Sequence, residues 1–557
     1  MRSQLVPAIK NRYQKLITNI LPPNLWIALV IVAAGVALRM YGLDFGLPYI
    51  YNGDEPDIVG RALTIMVTGD LNPHFFGHPG TVLIYLCAVI YGGLALDGQL
   101  AFADLFYFAR LAVVAFAAGS IFLTYLIGKR VMSYRSGLLA AALLSVAPLH
   151  ADFSRLARTD VPMTFFVLAS TWFVISIAQA GRWRDYLVAG FLLGLGIATK
   201  YPALLLALVI IWAHILQQFR IERPVWANLP RLIGAGAATL FGAFAGSPYL
   251  FIDFESAWTD ITFEARGYHL SATSDGFFSA LAWYLSNPLL TSIGILGALM
   301  VIAGAWSVIR RRTSATSIVL VFPVCFMIFI SSLALRWARW TIPVIPYLCL
   351  LAAFGLEETI AFFRKILTDN ARVPLRICAW AFALAMLVQP LLYALPTATA
   401  LANTDTRTLA HDWIMKNVPP GSALLAESNT PQLPKGRFRY YWAQFRILPN
   451  DDQYENFPVS LPYNYPIGAV GTLVDLDSIE QMQIDYILLS NLYDRLRSEA
   501  FHEGQATVFG ETHRQVVMYE AIMERHELVF EAAPEYGKVT GNLVRIYRVK
   551  SNDTETG

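Results

Sequence analysis

Long apolar segments, separated by short polar connections, run through most of the chain. Each segment has about the length that an α-helix needs to cross a bilayer. The pattern predicts a polytopic α-helical membrane protein with about eleven transmembrane helices. The predicted crossings are 25–41, 105–128, 136–151, 160–180, 184–200, 202–217, 230–250, 288–309, 316–335, 340–358 and 374–395.

The distribution of basic residues orients these crossings. Lys10, Arg12 and Lys15 precede the first apolar run, which predicts a retained signal anchor with a cytoplasmic N-terminus. If the apolar run 82–96 also crossed, the basic loop at 129–135 would be external, against the positive-inside rule. We therefore expect 82–96 to lie in the interface or to re-enter the membrane. With this topology, all residues after 400 lie on the external side of the membrane.

The C-terminal part of the chain has a different pattern. It is polar and contains strand-like runs at 423–426, 486–490 and 543–549, with a helical pattern at Thr406–Asn417. We predict a transmembrane module over 1–399 and an external, periplasmic α/β domain over 400–557, which has an ordinary domain size.

Composition supports the membrane assignment. Hydrophobic residues make up 56% of the chain and charged residues 15%, which excludes an ordinary soluble protein of this length. The net charge of +2 gives no sign of nucleic-acid binding. Because all four cysteines lie in apolar runs, neither a disulfide framework nor a cysteine-based metal site is indicated.

Two adjacent carboxylates, Asp54 and Glu55, follow the first predicted crossing. Asn-Gly-Asp-Glu-Pro is also good helix-start chemistry, so a capping role is the alternative to an acid/base site. Several other charged residues fall on the same predicted face of the membrane, where charge is costly unless it is paired, faces a cavity or is functional. They are His78, Arg155, Arg158, Asp160, Lys200, Arg266, His269, Arg336 and Arg339.

Three of these cations oppose the positive-inside rule together. Lys200 alone could snorkel from a helix end, and Arg336 and Arg339, next to tryptophans, could be interfacial anchors. Outward-facing cations at the lipid boundary also suit a lipid-linked phosphate. Arg110 lies inside a predicted crossing, and we expect it to pair with an acid such as Asp104.

An ordered set of motifs resembles the GT-C integral membrane glycosyltransferases, in the branch that holds protein O-mannosyltransferases and the aminoarabinose transferases that modify lipid A. The resemblance covers nearly the whole chain. The matching residues are Asp54-Glu55, Gly77-His78-Pro79, Arg155, Arg158-Thr-Asp160-Val-Pro, Gly196-Ile-Ala-Thr-Lys200, Arg339-Trp340, Pro343, Pro346-Tyr, Thr406-Arg407, Trp413, Asn417-Val-Pro, Gly421 and Arg545-Ile-Tyr547-Arg.

The resemblance implies roles for these residues. Asp54 would act as the base, with Glu55 as its neighbour, and Asp160 would shape the cavity. Lys200, Arg336 and Arg339 would hold the phosphate of a polyprenyl-phosphate sugar donor. The acceptor would be a glycan, a lipid or a protein. At 78–80 the chain reads His-Pro-Gly, which differs from both branches and leaves the acceptor class open.

Other interpretations remain at this point. The two carboxylates could coordinate a divalent metal, although relatives that use monophosphate donors mostly work without one. The spans and charges would also suit a lipid or lipid-linked-sugar transporter, but we find no internal repeat and the charges gather at one face. Anchoring the C-terminal domain alone would not need so many crossings. The expected location is the bacterial inner membrane, with the active site on the periplasmic side.

Overall fold

The computed structural model describes residues 23–77, 79–95, 100–264, 272, 274–311, 314–367, 372–443, 447–449, 463–464, 476–500 and 506–550. Helices dominate as far as residue 402. In chain order they are Pro23–Met40, Glu55–Thr68, Thr81–Ala95, Phe102–Val131, Tyr134–Val146, Pro148–Phe153, Asp160–Ala180, Trp183–Thr199, Leu206–Arg220, Leu229–Gly246, Tyr249–Ile252, Phe254–Glu264, Phe277–Tyr284, Leu290–Arg311, Ser314–Ser331, Ile345–Ile366 and Arg372–Ala402. Short 3-10 or π turns lie at Tyr201–Leu205, Leu285–Leu289 and Ala338–Thr341.

The structure confirms a multi-pass helical membrane protein. Within the described residues, eight helices are long and apolar enough to cross a bilayer, and three further apolar helices are shorter. The predicted number of eleven crossings is therefore not confirmed. The run expected to lie in the interface or re-enter forms one of the shorter helices, Thr81–Ala95, and its path relative to the membrane stays a prediction.

Small residues allow the helices to pack closely. A Cβ atom added to Gly304 would lie 2.1 Å from the Leu351 carbonyl oxygen, and one added to Gly355 would lie 2.0 Å from the Met300 oxygen. Helices Leu290–Arg311 and Ile345–Ile366 thus approach backbone to backbone. Such small-residue crossings are typical of helix packing in membranes, where van der Waals contact drives association.

A sheet-containing domain follows the last long helix, as the sequence predicts. Its strands in the described residues are β1 Thr404–Asp405, β2 Ala423–Ala426, β3 Leu433–Pro434, β4 Arg439–Ala443, β5 Ile447–Pro449, β6 Tyr463–Asn464, β7 Tyr486–Leu489, β8 Glu527–Ala532, β9 Val539–Thr540 and β10 Val544–Arg548. The main sheet has six strands in the order β5-β4-β2-β7-β10-β8, in which β2 runs parallel to both β4 and β7. Apolar clusters cover both faces of this sheet. The division of the chain at residue 400 stays a prediction.

Four helices accompany the sheet, at Thr406–Asn417, Leu476–Gln481, Leu492–Ala500 and Ala506–Arg525. The first begins at an Asp405 cap, whose side chain accepts a hydrogen bond from the Arg407 backbone N–H. Its Arg407 side chain donates to the Tyr51 carbonyl at 2.9 Å, so the start of this helix lies beside the loop that carries Asp54.

Candidate active site

Asp54 lies immediately before helix Glu55–Thr68, in the N-cap position, but its side chain makes no capping hydrogen bond. Pro56 fits the first turn of this helix, where a missing N–H costs nothing. The Asp54 carboxylate is instead 48% exposed and forms ion pairs with two arginines, Arg158 and Arg339. The sequence motif thus starts a helix and still leaves the carboxylate available for chemistry.

The two arginines come from distant parts of the chain. Arg158 lies two residues before the start of helix Asp160–Ala180, and Arg339 lies in the short turn Ala338–Thr341. The Arg339 Nη1 atom lies 3.3 Å from Asp54 Oδ2, and both arginine side chains are mostly buried. Burial, and then the nearby positive charge of Arg339, hold the pKa of Arg158 below its usual range. Two guanidinium groups this close together suit an anion that can accept hydrogen bonds from both.

A second ion pair lies beside the first. Lys200 Nζ is 2.6 Å from Asp160 Oδ1, and both side chains are nearly buried. Asp160 also interacts electrostatically with Arg339 and Arg158, which links the two pairs into one group. We call Asp54, Arg158, Asp160, Lys200 and Arg339 the charged cluster. It contains three cations and two carboxylates, and a further acid, Glu264, interacts electrostatically with Arg339.

Lys200 owes its position to the end of a helix. Helix Trp183–Thr199 stops there because Lys200 adopts an extended backbone, and Pro202 follows at the start of the next turn. The Gly80 N–H donates to the Thr199 carbonyl at 3.2 Å, which brings the start of helix Thr81–Ala95 against the same turn. The Gly-His-Pro-Gly motif therefore ends next to the charged cluster.

Glu55 has different surroundings from Asp54. It is fully buried and accepts hydrogen bonds from Arg110 Nε and Nη2, both at 2.8 Å, and from the Ala157 N–H at 2.9 Å. The prediction that Arg110 pairs with Asp104 is wrong. Asp104 instead accepts from the Ala101 N–H at the start of its own helix, because it lies in the first turn and faces the helix end.

Arg155 is also turned away from the charged cluster. Its guanidinium donates to Asp152 at 2.9 Å and to the Tyr41 carbonyl at 3.1 Å, and its side chain is fully buried. Arg336 contacts helix Phe277–Tyr284, with its guanidinium 5.2 Å from the centre of the Trp283 ring. His78, Arg266 and His269 lie outside the described residues.

One residue is more central than its place in the sequence suggested. From the sequence, Arg158 receives no specific role among the charged residues of the predicted outer face, yet it contacts Asp54 directly. In the described part of the chain, no group of three His, Cys, Asp or Glu side chains is arranged to hold a metal ion. The two guanidinium groups at Asp54 would in addition repel a divalent cation placed on that carboxylate.

Comparisons with known proteins agree with this architecture. Residues 99–243 match the family described as dolichyl-phosphate-mannose-protein mannosyltransferase. A curated relative, the undecaprenyl phosphate-alpha-4-amino-4-deoxy-L-arabinose arabinosyl transferase of Pseudomonas aeruginosa, is 28% identical over 219 residues. That alignment covers 37% of this chain and 37% of the relative.

Two solved structures share the fold over nearly the whole chain. ArnT from Cupriavidus metallidurans superposes with a TM-score of 0.53 at 14% identity, covering 93% of this chain and 97% of that one. The oligosaccharyltransferase of Archaeoglobus fulgidus gives a TM-score of 0.51 at 13% identity, covering 95% of this chain and 75% of that one.

These findings support a multi-pass membrane glycosyltransferase of GT-C fold. The type that the chain is similar to is that of the protein mannosyltransferases, over residues 99–243, and of ArnT, whose fold it shares. The sequence-based recognition of this type is confirmed.

Proposed function

We propose that the protein transfers a single sugar from a polyprenyl-phosphate donor to an acceptor hydroxyl at the outer face of the cytoplasmic membrane. One observation carries the proposal. Asp54 is half exposed and held by Arg158 and Arg339, beside the buried pair of Asp160 and Lys200. A carboxylate that can take a proton thus lies next to cations that can hold a phosphate.

The charge of the cluster suits such a donor. A phosphodiester that links a sugar to a lipid carries one negative charge, and the charged cluster offers three cations that can hold it. Arg158 and Arg339 present planar guanidinium groups that bind phosphate oxygens in pairs. Related folds have been solved with similar ligands, since ArnT from Cupriavidus metallidurans was crystallised with undecaprenyl phosphate.

The proposed reaction is a single displacement. The acceptor oxygen attacks the anomeric carbon while Asp54 takes the hydroxyl proton, a step worth about 10²–10⁴-fold. The bond between the anomeric carbon and the phosphate oxygen breaks, and its electron pair stays on the phosphate. The leaving phosphate gains negative charge, which Arg158, Arg339 and Lys200 stabilise in a site with little water. Displacement from the opposite face would invert the anomeric centre.

The arginine contacts also couple donor binding to the basicity of Asp54. An ion pair with an arginine stabilises the charged carboxylate and so makes it a weaker base. A donor phosphate that attracts the same guanidinium groups competes with Asp54 for them. Donor binding would therefore make Asp54 a better base at the moment when the acceptor arrives.

The remaining residues divide between supporting and unassigned roles. We assign Glu55 and Arg155 to holding the fold of the site, because both are buried in complete hydrogen-bond networks. Asp160 orients Lys200. The acceptor is a lipid A, an envelope glycan, another lipid or a protein hydroxyl.

The test uses full-length protein in nanodiscs with a panel of undecaprenyl-phosphate sugars and an envelope acceptor fraction. Wild type is compared with Asp54→Asn and with Asp70→Asn, whose exposed carboxylate lies in the same external loop and pairs with His74. We expect donor loss and one added glycosyl mass on an acceptor with wild type and Asp70→Asn only. Donor binding without turnover for every sugar would overturn the proposal and favour a lipid transporter.

A further inference from the structure

Three residues of the first external loop, Tyr49, Ile50 and Tyr51, are bound by the C-terminal domain. The side-chain amide of Gln432 forms hydrogen bonds with both the N–H and the carbonyl of Ile50. The Ile50 N–H donates to Gln432 Oε1 at 3.0 Å, and Gln432 Nε2 donates to the Ile50 carbonyl at 2.6 Å. One glutamine thus replaces the pair of hydrogen bonds that a neighbouring strand would make. Both residues are buried, so neither backbone group has water as an alternative partner.

Arg407 makes the second contact. Its Nε and Nη2 atoms donate to the two oxygens of Asp405, each at 2.8 Å, which fixes the plane of the guanidinium. The remaining Nη1 atom donates to the Tyr51 carbonyl at 2.9 Å. The guanidinium carbon also lies 3.9 Å from the centre of the Tyr51 ring. Asp405 of the same domain thus orients the guanidinium and leaves one of its donor groups for the loop.

The aromatic side chains add two more contacts. The Tyr51 hydroxyl is 2.9 Å from Thr408 Oγ1, and the Tyr49 hydroxyl is 3.2 Å from His411 Nε2. Thr408 and His411 lie on the same helix as Arg407, Thr406–Asn417. The loop therefore rests on one rigid helix and one glutamine of the C-terminal domain.

This contact lies directly before the candidate base. Only Asn52 and Gly53 separate Tyr51 from Asp54, and Asn52 accepts a hydrogen bond from the Asp54 N–H at 3.1 Å. On the other side, Glu55 is fixed by Arg110 inside the membrane module. The residues before Asp54 are thus held by the C-terminal domain, and the residue after it is held by the membrane helices.

We propose that Gln432 and Arg407 are positioning residues for Asp54, through which the C-terminal domain sets the geometry of the active site. The inference rests on the proposed function, because it assigns Asp54 the part of the base. A side chain held by only one anchor would sample positions far from the acceptor hydroxyl. Misplacement by about 1 Å can cost on the order of 10²-fold in rate.

The experiment measures loop order and catalysis separately in full-length protein. Gln432→Met keeps the size of the side chain and removes both hydrogen bonds to Ile50. Thr430→Val is the matched control, because Thr430 is equally buried and its hydroxyl contacts Glu427 and Tyr440, which belong to its own domain. Hydrogen exchange reports the amides of residues 50–55, and steady-state kinetics report kcat and the KM for the donor.

We expect Gln432→Met to speed exchange at Ile50 and to lower kcat by about 10–100-fold, with the donor KM changed less than threefold. Thr430→Val should leave both readouts at wild-type values. In an Asp54→Asn background, Gln432→Met should still speed exchange at Ile50, since the contact with Gln432 does not involve the Asp54 side chain. Arg407→Lys keeps the positive charge but cannot bind Asp405 and the Tyr51 carbonyl at the same time, so it should also lower kcat.

Two results would overturn the inference. Unchanged exchange at Ile50 in Gln432→Met would show that the loop does not depend on the C-terminal domain. Faster exchange with an unchanged kcat would show that loop order does not position Asp54. If wild type itself turns over no donor, the proposed function fails, while the exchange data still decide whether the domain orders the loop.

Discussion

Asp54 and Glu55 are neighbours in the sequence, but the structure predicts opposite consequences for their removal. Glu55 accepts three hydrogen bonds, two from the buried Arg110 guanidinium and one from the Ala157 N–H. Glu55→Ala would leave the Arg110 charge buried without its carboxylate. Asp54→Ala removes a carboxylate that is 48% exposed.

The magnitudes differ accordingly. Breaking a buried ion pair by removing one partner costs about 3–5 kcal/mol of unfolding free energy. The loss of the Ala157 bond adds to this cost, since an unsatisfied buried N–H costs about 1–3 kcal/mol. For Asp54→Ala we expect a smaller change of about 1 kcal/mol, because this carboxylate is half exposed and Asp160 still interacts with Arg158 and Arg339. Glu55→Gln keeps an acceptor for one of the bonds and should fall between the two.

Unfolding in mixed micelles with increasing denaturing detergent, followed by tryptophan fluorescence, measures these differences. Transfer activity per folded molecule is measured on the same samples. We expect Asp54→Ala to be folded and inactive, and Glu55→Ala to be destabilised, with its folded fraction retaining activity. Equal stability of the two variants would refute the assignment of Glu55 to structure and of Asp54 to chemistry.

Three further predictions concern the donor site, the helix packing and the C-terminal domain. Lys200→Met should weaken donor binding at least tenfold more than Arg336→Met in a binding titration, because only Lys200 belongs to the charged cluster; equal losses would contradict the phosphate assignment. Gly355→Val should destabilise the membrane module by more than about 2 kcal/mol in the same detergent assay, since its side chain would meet the Met300 backbone, whereas Gly92→Val, with open space around it, should not. Burial raises the pKa of Glu427 above its ordinary value of 4.5, so the folded domain binds its proton more tightly and loses stability as the pH rises from 4.5 through the raised pKa. Glu427→Gln should remove this part of the pH dependence in thermal unfolding, and an unchanged slope would contradict it.

Charged residues next to apolar segments were the features of the sequence that best predicted the site. Asp160, Lys200 and Arg339 stand out because charged residues beside apolar segments are costly, and the structure brings all three into the charged cluster. Long apolar runs likewise predicted the membrane helices. The apolar runs do not determine the number of crossings, because helices such as Tyr134–Val146 are shorter than a bilayer crossing usually needs.

Pairing between distant residues could not be predicted in the same way. The partner of Arg110 is 55 positions away, and the bond from Arg339 to Asp54 spans 285 positions. Nothing in local spacing selects Glu55 over Asp104, because helix packing alone decides which acid faces the guanidinium. The contact of Gln432 with Ile50 is of the same kind, since a single buried glutamine gives no pattern in a sequence.

The loop that carries Asp54 is made early, and the groups that hold it are made late. The bonds between Ile50 and Gln432 join residues that are 382 positions apart. During synthesis at about 5–20 residues per second, the first loop would wait on the order of tens of seconds before Gln432 exists. A partly translated chain would therefore contain Asp54, Glu55 and the membrane helices without the contact that completes their arrangement. The same dependence would leave a prematurely terminated chain without this anchor.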